Sequence, residues 1–450
     1  MNRGDLITRF DAFYHNPYFC LLEKQLSEVQ HPVISLRKIS DSFTNGDHGG
    51  VKYVDKGVRY LRGQSVTEEG LNLKDELYIS TNDHERMIRA EVIPGDVLLT
   101  IAGSIGNCCV VEGVDKANIN QAIVKIRPSP STIDPNFLSF FLNSKYGKFQ
   151  TSRLANGAVQ LNVNFSEAGD IKIIVPSLPE QYRLVTAMDE ARSQRKQKLA
   201  EANVLLSSLD DYLLKTLGLE PPVKDERKVF AIQTSIISGR FDPHFHAPNF
   251  KNIYRLLFKT TTKILGEIVQ FSKDSWNPKD EEKSTFRYIE ISNVKPQTGE
   301  AIWTETLTKE VPSRARMLVH GDDIIVSLTR PHHGSIAHLS EEFDGCIAST
   351  GFAIIRSVSK LVNREYLWCI LRSQLSLQQM LQRSSGGNYP AITKTELENI
   401  IIPIPEISIQ EQIVAEIQRR RSESQRLRSE AESGWQAAKQ WFEEQLLGGS

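Results

Sequence analysis

Apolar residues along the chain fall into two kinds of pattern, and each kind occurs twice. Short β-branched runs punctuated by Gly, Pro and Asn come first: Val97–Ile101 and Ile123–Ile126, then Ile324–Leu328 and Ala353–Ile355. Apolar runs this short, bounded by turn formers, predict buried strands. A short amphipathic helix is predicted after each pair, at Pro135–Tyr146 and Arg364–Gln382. A Gly/Asn loop, a last apolar strand (Ile171–Val175 and Ile400–Ile402) and a proline-rich exit that cannot continue a ladder follow each helix. The second kind of pattern is longer. From about Glu180 to Leu217, Leu199, Ala202, Leu206, Leu209, Leu213 and Leu217 recur at three and four, the spacing of a coiled-coil seam. Gly218 and Pro221-Pro222 end it. From about Ile409 to Leu447 the seam is Ile413, Ile417, Leu427, Ala431, Trp435, Ala438, Phe442 and Leu446, with Gly448-Gly449 as the stop. Each helix would span roughly 55 Å at the α-helical rise. Such helices must bury their seams, and each is the natural partner of the other. A pseudo-twofold molecule is expected, with two globular domains separated by a paired-helix spacer.

The repetition extends to residue identity. Phe10-Asp11 to Phe19 reads F-D-x-x-Y-H-x-P-x-F, and Phe241-Asp242 to Phe250 reads F-D-x-x-F-H-x-P-x-F. Arg59-Tyr60-Leu61 matches Arg287-Tyr288-Ile289, Gly95-Asp96 faces Gly321-Asp322, and Val124–Arg127 faces Ala353–Arg356. Gln181-x-x-Leu184-Val185 matches Gln410-x-x-Ile413-Val414, 229 residues on (410 − 181). Order, type and spacing agree, so the chain is a tandem duplication.

Composition is ordinary for a globular protein: 450 residues, 40% hydrophobic and 24% charged. Fifty-four Lys plus Arg against 55 Asp plus Glu gives a net charge of −1, which excludes attachment to nucleic acid or membrane by bulk charge alone. Five cysteines without a CxxC pair, no secretory h-region and no run long enough to span a membrane predict a soluble, cytoplasmic chain. There is no phosphate-loop motif, no G-x-S-x-G elbow and no zinc spacing. Asn16-Pro17-Tyr18-Phe19 only faintly resembles the N-P-P-Y element of adenine methyltransferases. Asp274 with Glu281-Glu282-Lys283 reads better as a charged loop than as a nuclease pattern. His332-His333 reads as a polar loop sooner than a metal pair. Gly103–Asn107 reads as a tight turn.

Basic and loop residues supply candidates for nucleic-acid contact. In the first half these are Lys52, Arg59, Arg62, Arg86 and Arg89, with Asn156 and Gln160 in a Gly-containing loop. In the second half they are Arg287, Arg314, Arg316, Arg330, His332, Arg383 and Lys394, with Asn388 and Tyr389 in the matching loop. Arg reads guanine edges bidentately, Asn and Gln read adenine, and Lys or Arg grips phosphate.

These residues together resemble the specificity subunit of type I restriction-modification systems. The resemblance rests on the paired exits Val175–Val185 and Ile402–Val414, the G-D strands after Gly95 and Gly321, Ala102–Gly106, and the F-D-x-x-[YF]-H-x-P openings. It implies an α+β chain with two tandem α/β target-recognition domains, at 1–179 and 241–408. The helices at 180–218 and 409–447 would form an antiparallel coiled coil, and residues 219–240 a linker. It further implies double-stranded DNA as ligand, with each domain reading half of a split target while the helices set the gap. Two modification subunits and restriction/translocase subunits are the implied partners, with no membrane. No cofactor is expected on this chain and no catalytic residue. S-adenosylmethionine, ATP and Mg²⁺ belong to the partners. A self-sufficient methyltransferase or nuclease, and a protein-binding scaffold, are the alternatives.

Overall fold

The computed structural model describes residues 13–46, 49–155, 161–221, 227, 229–232, 241–280 and 283–448. The chain divides into two compact units, residues 1–199 with 428–450, and residues 200–427.

In the first unit the predicted strands are Val97–Thr100 and Ile123–Pro128, central in a four-stranded sheet between Cys108–Val110 and Ser40–Asn45. All its pairings are antiparallel. A second sheet has five strands, and its single parallel pair joins Val58–Leu61 to Ala117–Ile119. Val33–Ser35 pairs with Lys172–Ile174. The second unit repeats this plan. Ile324–Ser327 and Phe352–Val358 lie between Val269–Phe271 and Ile336–His338. Thr285–Ile289 runs parallel to Ile347–Ser349, and Thr262–Ile264 pairs with Ile401–Pro403. A helix-rich, mostly antiparallel unit of this kind is α+β.

Polar residues explain where the helices depart from expectation. The helix predicted at Pro135–Tyr146 is two, Pro135–Asn143 and Lys145–Leu154. Ser144 divides them by capping the second, accepting from the Tyr146 N–H at 3.2 Å. Arg364–Gln382 is also two helices, Arg364–Leu371 and Gln374–Arg383, with the Ser373 hydroxyl donating back to the Ile370 carbonyl at 2.7 Å. The first long helix runs Leu178–Ser207, stops at Ser208 and resumes as Leu209–Thr216. Arg420 Nη1 donates to both the carbonyl (3.1 Å) and the hydroxyl (2.8 Å) of Ser208, whose carbonyl also accepts the Tyr212 N–H at 3.1 Å. Gly218 ends the element at φ +67°, as a left-handed stop requires. The last helix is unbroken, Ile407–Leu446. Two further helices, Pro17–Glu28 and Pro248–Leu257, arise from the F-D-x-x-[YF]-H-x-P openings. Each motif proline sits in the first turn, where a missing N–H costs nothing. In the first, Asn16 caps the helix from its side chain, so Asn16-Pro17 is a helix start.

Within each unit the long helices pair antiparallel. In the first, Arg183 bonds Gln445 (2.8 Å) and Lys198 bonds Glu430 (2.9 Å). In the second, Ser424 Oγ donates to the Ala202 carbonyl (2.9 Å), and Arg420 reaches Ser208. Partner numbers fall as the first helix's numbers rise.

The cores are closed by these helices. Phe137, Phe141 and Tyr146 bury against Leu184, Met188, Phe442 and Leu446 in the first unit. The Phe442 ring packs tilted, 5.8 Å from Phe137 and 6.1 Å from Phe140 between centroids. In the second unit Tyr366, Leu367 and Ile370 meet Leu213, Leu214, Ile413 and Ile417. Among the described residues no helix is long and apolar enough to cross a membrane.

Candidate nucleic-acid interface

Both units carry the same polar framework. Asp96 and Asp323, each 1% exposed, accept the backbone N–H three residues earlier, from Ile93 (3.0 Å) and His320 (2.8 Å). Each also takes an arginine at 2.7 Å, Arg127 and Arg356. The burial of these carboxylates is thus matched by charge and hydrogen bonds. The equivalence Asp96–Asp323 corrects the alignment of Gly95 with Gly321. Gly95 (φ +88°) corresponds to Asp322 (φ +68°), so the same left-handed turn is glycine in one unit and aspartate in the other.

A second substitution of this kind follows each central strand. After Val97–Thr100 comes Gly103 at φ +74°, and after Ile324–Ser327 comes Arg330 at φ +48°, ψ 50°. An arginine in left-handed backbone, followed by proline, costs about 1–3 kcal/mol and persists only if its surroundings hold it. They do. The Arg330 N–H donates to the Pro390 carbonyl at 2.7 Å and its carbonyl accepts from His333 at 2.9 Å. Thr329 bridges Ala391, and Ser385 exchanges both backbone bonds with Ala391, closing the intervening loop. The Arg330 guanidinium donates to the Asn388 carbonyl at 3.0 Å and lies 4.3 Å over the Tyr389 ring. Tyr389 is 70% exposed. An arginine plane on an exposed tyrosine offers a forked donor and an aromatic face side by side, the chemistry that reads base edges and stacks bases.

His332 follows in the turn Pro331–His333, its ring 4.6 Å from His333. Burial, then the His333 and Arg330 charges, holds its pKa below the ordinary imidazole value. No group of three His, Cys, Asp or Glu among the described residues is placed to hold a metal.

The other candidates divide by what their charge meets. Arg59 donates to the Tyr78 hydroxyl (3.2 Å) and lies 3.9 Å from Glu76. Arg62 pairs with Asp75 at 3.3 Å, and Arg86 with Asp83 at 3.1 Å. The Lys52 N–H, then Arg86, holds the Asp83 carboxyl below the usual range. Arg287 spans the carbonyls of Glu342 and Asp344, with Trp303 5.6 Å away, and Arg316 bonds the Pro312 carbonyl at 3.4 Å. Arg383 pairs with Glu396 at 2.8 Å, and Lys394 lies 5.1 Å over Phe271. Each of these is engaged in holding its own unit. The side chains of Lys52, Arg89 and Arg314 are exposed. Asn156 and Gln160 lie outside the described residues. Thr100 anchors the Gly103–Asn107 turn, accepting the Asn107 N–H at 3.0 Å, and Asp274 pairs with Arg356 at 2.7 Å.

Two features escaped sequence reasoning. Lys125 is buried and donates to the carbonyls of Arg89 and Glu91, both at 2.9 Å; burial lowers its pKa. Its position inside an apolar strand run was the available signal. The left-handed backbone of Arg330 had none, since arginine does not advertise positive φ.

Known proteins share this plan. The sequence pattern described as the type I restriction modification DNA specificity domain matches residues 31–202 and 259–425. The type I restriction enzyme HindI specificity subunit of Haemophilus influenzae is 26% identical over 140 residues, 31% of this chain and 28% of that protein. The EcoBI specificity subunit of Escherichia coli is 24% identical over 163 residues, 35% of this chain and 34% of that protein. The aligned stretches thus span about a third or less of those two relatives. A chain from a structure of the type I R-M system, described by its complex assembly and conformational transition, overlays with a TM-score of 0.56. It is 15% identical and the match covers 93% of this chain and 98% of that one, a likeness of fold. With the family pattern present in both halves, the chain belongs to the type I restriction modification DNA specificity domain family.

Proposed function

We propose that this chain is the DNA-reading subunit of a type I restriction-modification complex. Each unit reads one half of a bipartite duplex target, while the paired long helices fix the gap and dock two modification subunits. The chain carries no catalytic step of its own. S-adenosylmethionine, ATP and Mg²⁺ are held by the modification and restriction/translocase partners, which act with it in the cytoplasm. One observation carries the reading: a single framework built twice, with different residues presented at the same left-handed turn, Gly103 in one unit and Arg330 beside Tyr389 in the other. Two readers on a common frame are what a split target needs, because half-site spacing is geometry.

The test is selection of random duplex DNA by the reconstituted complex. A motif of two short half-sites at fixed spacing is the expected result. No enrichment, or a continuous motif, would overturn the reading. The net charge of −1 supplies little of the phosphate attraction that drives non-specific binding. The chain alone is therefore expected to bind duplex DNA far more weakly than the complex at physiological salt, as fluorescence anisotropy would measure.

A further inference from the structure

A second site lies inside the unit formed by residues 200–427, apart from the Arg330–Tyr389 stack. A cavity of about 280 Å³ is lined by Asp210, Gln297, His332, Cys369, Arg372 and Arg421, among others. Three buried nitrogens of its lining residues have no hydrogen-bond partner among the described residues: Arg372 Nε, Arg421 Nε and His332 Nδ1. A buried polar atom left unpaired is costly, and three on residues that line one cavity call for a common explanation.

The two arginines differ in how they are held. Arg372 spends both terminal nitrogens on four backbone carbonyls, those of Gly334, Ile336, Pro296 and Gln297, at 2.9–3.1 Å. Arg421 has one long bond, 3.3 Å to the Thr298 carbonyl, and lies 4.1 Å over the Trp368 ring. Neither makes an ion pair within 4 Å among the described residues. Burial, then the neighbouring Arg421, pushes the Arg372 pKa down to about 10, and burial lowers that of Arg421. Asp210 also lines the cavity, but burial raises its pKa, and its carboxylate already accepts the Gln374 N–H at 3.4 Å. Glu300 and Glu365 act on Arg421 only at a distance. Two guanidiniums set against one lining carboxylate leave positive charge that a low-dielectric site holds only with a counter-charge.

We propose that this cavity binds a phosphate-type oxyanion, received by the Arg421 guanidinium and the His332 imidazole, with Arg372 as the fixed second charge. Arginine supplies the forked donors that oxyanions favour, and the cavity has room for the anion with waters. The shared chemistry is a tetrahedral phosphate, from free inorganic phosphate or a DNA phosphodiester. The site does not rest on the proposed reading of DNA.

The test is calorimetric titration of inorganic phosphate into the full chain, against chloride at equal ionic strength. Saturable one-to-one binding is expected. Arg421→Gln weakens it by about tenfold or more, and His332→Phe, which leaves the guanidiniums in place, by several-fold. Phosphate should also raise the His332 imidazole pKa, a readout that loss of folding cannot imitate. Heat no greater than in chloride, or binding undiminished in both variants, would overturn the proposal. Duplex DNA in phosphate-free buffer distinguishes the sources: raising the same His332 pKa identifies the phosphodiester, and leaving it unmoved while phosphate raises it identifies the free ion.

Discussion

Arg330 holds a backbone conformation that its counterpart in the first unit gives to glycine, and does so between two hydrogen-bonded strands of loop. Glycine at 330 would relieve the backbone while deleting the stacking cation. Arg330→Gly is therefore expected to leave unfolding within about 1 kcal/mol of wild type in urea. Discrimination at one base pair of one half-site should fall by about 1–3 kcal/mol in competition binding. A variant that unfolds readily but reads DNA normally would make the arginine structural. His338 is a second residue with a measurable signature. Burial alone would lower its pKa, but hydrogen bonds to Glu365 (2.9 Å) and Asp322 (2.7 Å) outweigh it and raise the value. A raised histidine pKa adds stability that is complete below the unfolded value and lost as pH rises through the folded one. Wild type should exceed His338→Gln in melting temperature near pH 6, with the gap closing toward alkaline pH; a gap that widens contradicts the arrangement.

Gln181 and Gln410 show how one side chain can dock a helix on a domain. Each is fully buried near the start of a long helix. Gln181 Oε1 accepts from the Asp134 N–H at 2.8 Å, and its amide donates to the carbonyls of Thr132 (3.0 Å) and Pro176 (2.9 Å). Gln410 repeats this with Asn363 (2.8 Å), Leu361 (3.1 Å) and Pro405 (2.8 Å). Leucine at either position leaves three backbone groups, partly or fully buried, without that partner and is expected to cost about 1–3 kcal/mol in denaturant unfolding. Amide exchange should accelerate at Asp134 or Asn363. The matching glutamines were legible in the sequence because the duplication preserved type and spacing. The central strands were legible as well, since Val97–Thr100 and Ile324–Ser327 are buried on both faces and read as unbroken apolar runs. The break at Ser208 was not, since the side chain that bonds there, Arg420, lies more than two hundred residues away in sequence. Nor was the true register of Gly95 on Asp322, where backbone conformation is shared and residue type is not.

The first core is not finished by the stretch of chain that begins it. The first unit takes residues 428–450 from the far end of the chain, and Phe442 and Leu446 lie fully or nearly fully buried in its core. Phe442→Ala removes a ring from among Phe137 and Phe140 and should cost about 3–5 kcal/mol. The loss is expected in the first unit alone: its amides should lose exchange protection while those of Tyr366 to Leu371 keep theirs. Equal loss in both would mean that the units do not unfold separately. The second unit closes instead with Leu213 and Leu214, which belong to its own continuous stretch of chain. The order of manufacture and the order of completion therefore run in opposite directions. During synthesis the first unit begins early yet waits, its aromatic cavity unfilled, for Phe442 and Leu446, which are made only after every part of its later-made twin.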